Sequence, residues 1–393
     1  LTQKILDVFR DVLGNTSLNA DSDYFLNGGN SLNAMETISR LSEICARRLQ
    51  VAEIYACRNA RALAKMLQET VTKDSPASGI SCANRLQSAP VVERYPLTPV
   101  QQGIYIQSAM DSSGMAYQMP GAFVMSQAPD IPRLQQAFRR LIEAEPLLRT
   151  GFTNEADGIF ARVNGKTDFE LGLWHGKVEQ HLTALLKPFD LSSPPLLRAA
   201  LVEDEGKYTL LLNMHHIIGD GISTELLLRR LDAFYQGKET GPQEGPALSY
   251  LDYAWMLAEK KDPGEKDTSY WQQHLSPLPQ PLELTGDFSR PKASDYRGGT
   301  AILKMDPQLS AACDSYCKNH DISPYMLFLS AFGLLMSKLS GCEELIVGVP
   351  AAGRILPETR EMCGPFINTL PLRLAPGGQQ DTGSWLRSVK DEV

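Results

Sequence analysis

The stretch "NMHHIIGDGIS", residues 213–223, sets two imidazoles side by side, with a carboxylate at Asp220 and a glycine at Gly221 just after it. Imidazole changes its charge near neutral pH, so such a pair can move protons, bind a metal or simply pack with hydrogen bonds. The preceding run "YTLLLNMHH" alternates as a strand does, and successive side chains of a strand point to opposite faces. On that pattern His216 shares a face with Leu212 and Met214, while His215 points the other way with Asn213. The two rings then have different jobs, and a metal held by both is disfavoured because neighbouring strand residues do not converge on one ion. A hydrogen-bonded pair of core histidines is the plain alternative. Asp220 shifts the balance toward a site, since a buried carboxylate needs a partner and can lock the turn, and Gly221 leaves room beside a ring.

A second chemical position is Ser31, which follows "NGGN" at 27–30 and opens a helix-like stretch. A serine there can be an ordinary helix cap. The two glycines also allow a tight turn that exposes the hydroxyl, and the free N–H groups of a helix start favour an attached phosphate. Cys313 and Cys317, with His320 nearby, stand on one helical face without a second pair, so no metal site is expected.

These groups need elements to hold them. Over residues 1–70 the apolar positions Ile5, Val8, Phe9, Val12 and Leu13 repeat at helical spacing, and four short helices make a small bundle. Residues 71–93 lose periodicity and turn rich in Ser, Ala, Pro and Gly, which marks a linker. From 94 to 393 helix-like stretches (133–146, 223–236, 324–339) alternate with strand-like ones such as "GAFVM", "LRAALVE" and "TLPLRL", an α/β sandwich pattern.

Composition bounds the rest. The chain has 393 residues, 43% hydrophobic and 21% charged, with a net charge of −8 and no basic patch interleaved with aromatics, which speaks against nucleic acid. No apolar run reaches the roughly 18–20 residues of a bilayer span, and neither a signal peptide nor a nucleotide-binding glycine loop is present. Seven cysteines without paired spacing suit a reduced, cytoplasmic protein. The start without Met and the ending "SWLRSVKDEV" read as part of something longer.

"DSDYFLNGGNSL" resembles the attachment motif of acyl and peptidyl carrier proteins, matched at Asp23, Phe25, Gly28, Gly29, Ser31 and Leu32. That resemblance implies a 4′-phosphopantetheine arm on Ser31, loaded by a phosphopantetheinyl transferase and carrying substrate as a thioester. His-His-x-x-x-Asp-Gly resembles the condensation domains of nonribosomal peptide synthetases. "YPLTPVQQGIY" (95–105), "EAEPLLRTGF" (143–152), "YLDYAWM" (250–256) with "YWQQHL" (270–275), "VGVPAAGR" (347–354) and "CGPFINTLPLR" (363–373) are similar to that family's other motifs, in its order.

The resemblance implies a four-helix peptidyl carrier at 1–70. It also implies a chloramphenicol-acetyltransferase-like domain of two lobes, about 94–265 and about 266–393, meeting at a tunnel. The second lobe would be incomplete, lacking the segment that crosses back to the first. The implied reaction is amide formation between a donor acyl thioester, delivered by the carrier, and the α-amine of an acceptor aminoacyl thioester. Neighbouring adenylation and carrier domains of one synthetase would be the partners. His216 would orient the amine and accept its proton late, with His215 bracing the loop and Gly221 giving clearance. Asp220 would pair with Arg354, or failing that Arg149, and Asn368 and Thr369 would line the tunnel. Glu143–Glu145 depart from the family's usual Arg-His-Glu. Epimerization, heterocyclization, peptide-releasing and non-catalytic recruitment domains share the fold. The intact His216 and the condensation-like "VGVPAAGR" and "GPFINTLPLR" favour condensation.

Overall fold

A computed structural model of the chain describes residues 1–29, 31–45, 49, 53–54, 57–70, 86–238, 248–260, 265–284, 286, 288, 298–377 and 381–393. The chain divides into two compact units, one of Asn84–Lys261 with Leu356–Ile367, the other of Leu1–Ala83, Asp262–Ile355 and Asn368–Val393.

In the N-terminal part α1 (Thr2–Leu13), α2 (Ser31–Ile44) and α3 (Ala60–Thr70) pack around Ile5, Phe9, Tyr24, Leu41, Ile54 and Leu63, each at most 2% exposed. Of the other expected helix, ahead of α3, only Glu53, Ile54 and Cys57 are described, all helical, and most of the expected linker, residues 71–85, lies outside the described residues. The turn before α2 is tightly specified. Gly28 sits at φ 102°, where a side chain is strained, and a Cβ on Gly29 would collide with the Tyr24 ring. Tyr24 is anchored from inside by a 2.6 Å hydrogen bond between its hydroxyl and that of Thr37. Asp23 is held by Arg58 at 2.7 Å.

In the unit of Asn84–Lys261, β1 (Tyr95–Pro96) precedes α4 (Pro99–Met110), β2 (Gln118–Val124), α5 (Ile131–Ala144), β3 (Thr150–Glu155), β4 (Gly158–Val163) and β5 (Gly172–His175). A single turn, α6 (Leu182–Leu185), leads to β6 (Leu197–Asp204), β7 (Lys207–His215), α7 (Gly221–Tyr235) and α8 (Tyr250–Glu259). Two sheets result, in the orders β1-β4-β3 and β2-β7-β6-β5. All pairings are antiparallel except β5 with β6. β7 is central in its sheet and apolar on both faces, as a strand covered on both sides must be: Leu210, Leu212 and Met214 enter the main core, and Leu211 packs with Leu185 and Val202.

The other unit adds α9 (Glu265–Leu275), α10 (Pro307–His320), α11 (Pro324–Ser340), β8 (Leu345–Ala351), β9 (Asn368–Leu374) and α12 (Thr382–Glu392). β8 and β9 pair antiparallel, and Trp385 and Val389 of α12 pack with Leu345 and Leu374 of that ribbon. Among the described residues no single helix is long and apolar enough to cross a membrane.

The structure departs from the expected lobe boundary in one respect. Leu356–Ile367, assigned by sequence order to the second lobe, belongs to the first compact unit. The cause is local. The Gly364 N–H donates to the Ser223 hydroxyl at 3.0 Å, and the Tyr250 hydroxyl donates to the Pro365 carbonyl at 3.0 Å. The Phe366 ring packs edge-on against Tyr250, with centroids 4.8 Å apart. Gly364 is required here, since a Cβ would run into the Tyr250 ring.

Candidate active site

β7 ends at His215, not His216. His216–Ile218 form one turn of 3-10 helix, so the alternation that would place His216 beside Met214 stops one residue early. Met214 is fully buried in the core, whereas His216 is only partly covered. What ends the strand is His215 itself, whose ring caps the turn: Nδ1 accepts the Ile217 N–H at 3.2 Å. Because a main-chain N–H can only donate, the proton of this neutral ring sits on Nε2, facing the Ser108 hydroxyl at 3.3 Å. His215 is 4% exposed, and burial, helped by the neighbouring His216, pushes its pKa down to about 4. It is therefore a neutral bracing group at neutral pH.

His216 is held differently. Its main-chain N–H donates to the Tyr117 carbonyl at 2.8 Å, and the Tyr117 ring stands edge-on at 6.4 Å between centroids. Its buried Nδ1 has no hydrogen-bond partner among the described residues.

Asp220 is the N-cap of α7 and 2% exposed. One carboxylate oxygen accepts the Ser223 N–H at 2.8 Å and its hydroxyl at 2.7 Å, and the other accepts the Phe366 N–H at 3.2 Å. The carboxylate thus starts the next helix and holds the returning segment 356–367 to it. Arg149, the second-choice counter-ion, does not serve Asp220. Its guanidinium donates to the carbonyls of Ile142 (3.1 Å), Asn164 (2.7 Å) and Glu143 (3.3 Å), bracing the entry to β3. Glu145, which keeps the Glu of the Arg-His-Glu motif, forms an ion pair with Arg230 of α7, and Arg230 also donates to the Glu361 carbonyl.

Gly221 opens α7 with no atom within 4 Å of where a Cβ would stand. By contrast, a Cβ on Gly219 would collide with Met214, so that glycine answers to packing. Arg354 is half-buried in the loop after β8, and Asn368 starts β9 with its side chain exposed, accepting the Thr369 N–H at 2.9 Å. Both belong to the other compact unit. Ser31 is the first residue of α2, where helix N–H groups lack intrahelical partners; its side chain lies outside the described residues.

A cavity of about 400 Å³ lies on the His215 side, lined by Tyr105, Ser108, Asp111, Tyr117, Phe189 and Ser192 among others. The Ser113 hydroxyl and the N–H groups of Ala116, Ser113 and Met115 hold Asp111 ionised, with a pKa lowered to about 2. No group of three or more potential metal ligands occurs among the described residues.

The sequence reading passed over Thr98, Gln101, Ser223 and Tyr250. Thr98 and Gln101 had a visible signal, because Thr-x-x-Gln is a capping box and both of its reciprocal hydrogen bonds are made at the start of α4. Ser223 and Tyr250 act across long sequence separations and carried none.

Residues 91–393 match the condensation domain family, and residues 3–67 match the phosphopantetheine attachment site family. The chain belongs to the condensation domain family. It joins that domain to a carrier of the phosphopantetheine-bearing type, in the arrangement of nonribosomal peptide synthetases, and the expected helical carrier plus chloramphenicol-acetyltransferase-like fold is the fold it has. Surfactin synthase subunit 2 of Bacillus subtilis (strain 168) is 30% identical over 392 residues, which is 99% of this chain and 11% of that protein. Gramicidin S synthase 2 of Brevibacillus brevis is 29% identical over 399 residues, 100% of this chain and 9% of that one. The chain thus spans about a tenth of the length of the curated relatives it matches.

Among solved structures, the X-domain from teicoplanin biosynthesis aligns with a TM-score of 0.69 at 21% identity, over 78% of this chain and 71% of that one. The first condensation domain of the CDA synthetase gives 0.62 at 20% identity, over 77% and 75%. The epimerization domain from the third module of tyrocidine synthetase B gives 0.67 at 20%, over 78% and 74%. These likenesses establish the fold of the condensation domain.

Proposed function

We propose that the chain forms amide bonds between carrier-bound substrates, as an acyltransferase-type step. The α-amine of an acceptor aminoacyl thioester attacks the carbonyl of a donor acyl thioester, and the thiol leaves. The observation that carries the reading is the unequal treatment of the two imidazoles. His215 is neutral with its acceptor nitrogen already engaged, while His216 leaves the strand on a turn built by its neighbours.

Ser31 is the proposed attachment position. The residues present fit the group: Gly28 and Gly29 force the turn that precedes α2, and Ser31 stands at that helix start. Bound there, 4′-phosphopantetheine supplies a flexible arm ending in a thiol that carries the acyl group. A phosphopantetheinyl transferase would install it, and adenylation and carrier domains of the same cytoplasmic synthetase would be the partners.

His216 has a bounded task. An α-amine with a pKa of ~7.7–8.0 is already about a tenth neutral at pH 7, so deprotonating it beforehand gains only about one decade. Once nitrogen has bonded to carbon its proton becomes acidic, and a base placed there contributes ~10²–10⁴. Bringing the two reactants together supplies up to ~7–11 kcal/mol. His216 therefore orients the amine and takes its proton after attack. Gly221 keeps the first turn of α7 clear of the reactants. Arg354 remains a proposed counter-ion for Asp220, and Asn368 a proposed contact for the arms, on their motifs alone.

The test has two arms. Intact mass after incubation with a phosphopantetheinyl transferase and coenzyme A should rise by one arm on wild type and not on Ser31→Ala; equal gains would remove the attachment assignment. With loaded donor and acceptor, His216→Ala should lose at least ~10²-fold in amide formation, and undiminished turnover would remove its catalytic role.

A further inference from the structure

We propose that Gln101 is a positioning residue for His216: together with His215 it clamps both polar groups of Ile217 and so sets the turn on which His216 begins. This rests on the catalytic reading of His216 given above.

The two hydrogen bonds to Ile217 come from opposite directions. His215 Nδ1 accepts its N–H at 3.2 Å, and Gln101 Nε2 donates to its carbonyl at 3.1 Å. Gln101 is 0% exposed, with its side chain fixed at the other end as well. Its Oε1 accepts the Thr98 N–H at 3.3 Å, and the Thr98 hydroxyl accepts the Gln101 N–H at 3.2 Å. The Thr98 and Tyr250 hydroxyls are 2.9 Å apart, and the Tyr250 hydroxyl donates to the Pro365 carbonyl at 3.0 Å. One connected network thus runs from the returning segment, through the start of α4, to the residue next to His216.

Capping alone does not account for a glutamine. The cap uses Oε1 only, and a glutamate would serve it while also suiting the positive start of a helix. A glutamate carboxylate would, however, set negative charge against the Ile217 carbonyl. The amide is the group that accepts at Thr98 and donates at Ile217. Burying an amide whose ends were not both bonded would cost ~1–3 kcal/mol, so the bonding of Gln101 at both its oxygen and its nitrogen is what permits a polar side chain at this depth.

The test is a double-mutant cycle in the intact protein, with the carrier loaded and an aminoacyl-pantetheine thioester as acceptor. Gln101→Met keeps the length and removes both the donor and the acceptor. Its kcat should fall about ten- to a hundredfold, the effect expected of a small misplacement, with KM for the acceptor within about twofold. In a His216→Ala background the same change should have no further effect on the residual rate. An unchanged kcat, or the same fold loss in both backgrounds, overturns the proposal. Full activity of His216→Ala alone would instead overturn the catalytic reading on which it rests.

If Gln101→Met does not fold, Gln101→Glu decides. It keeps the acceptor toward Thr98, and burial favours its protonated form, which can still donate. Activity relative to wild type should then fall as pH rises from 6 to 8.5 and the carboxyl ionises, with His215, Asp220 and Tyr250 the other titratable groups on the network. A ratio flat across that range overturns the proposal.

Discussion

An imidazole whose lone pair already accepts a main-chain N–H gains nothing from protonation, and His215 is in that position. Its pKa is lowered from 6.5 to about 4, so between those values the unfolded chain binds the extra proton and the folded one does not. The stability it contributes is present above pH 6.5 and is lost progressively as pH falls to about 4, by up to about 3 kcal/mol. Thermal unfolding of wild type and His215→Asn across pH 7.5 to 4 should show the variant's profile flatter in that window. Gly221→Leu should behave in the opposite sense. A side chain there meets open space and helix propensity improves by up to ~1 kcal/mol, so stability is kept or raised while amide formation is lost. The alternation of "YTLLLNMHH" was enough to put Leu212 and Met214 on one face and Asn213 with His215 on the other. It failed at His216 because the strand ends where a main-chain N–H, that of Ile217, donates to the His215 side chain, and periodicity does not encode that.

At the scale of elements, the start of α7 and the returning segment 356–367 are fastened together by Asp220. Asp220→Asn keeps an oxygen for capping, but its amide would face the Phe366 N–H, donor against donor. The expected cost is about 1–3 kcal/mol, measured as a lower denaturation midpoint alongside the lost activity. A fully stable variant would contradict the structural role. Gly364→Ala should also destabilise, by about 1–3 kcal/mol, because the Tyr250 ring has to move. The order of motifs along the chain was readable, and so were most helices and strands. The return of Leu356–Ile367 to the first unit was not, since it depends on Ser223, Tyr250 and Gly364 meeting across more than a hundred residues.

Across the whole molecule, the carrier has its own core around Phe9 and Tyr24, distinct from the core that holds β7. Loading of Ser31 should therefore be indifferent to the histidine turn. His216→Ala and wild type are expected to gain the same mass with coenzyme A at the same rate, while the variant goes on to form product at least ~10²-fold more slowly. Unequal loading would mean that the substitution disturbs the carrier itself. A change of composition was visible over residues 71–93, between the ranges 3–67 and 91–393 that match the two families. Which substrates are joined was not, because the motifs describe the machinery common to the family.

The cap that His215 makes on Ile217 has one more consequence, for the purification and assay of this protein. With one nitrogen of His215 engaged and the other carrying hydrogen, the neighbouring pair can offer a transition metal at most a single, monodentate ligand from His216. Chelators should leave turnover untouched, and low micromolar zinc or nickel should inhibit only weakly, despite a sequence that at first sight invites them.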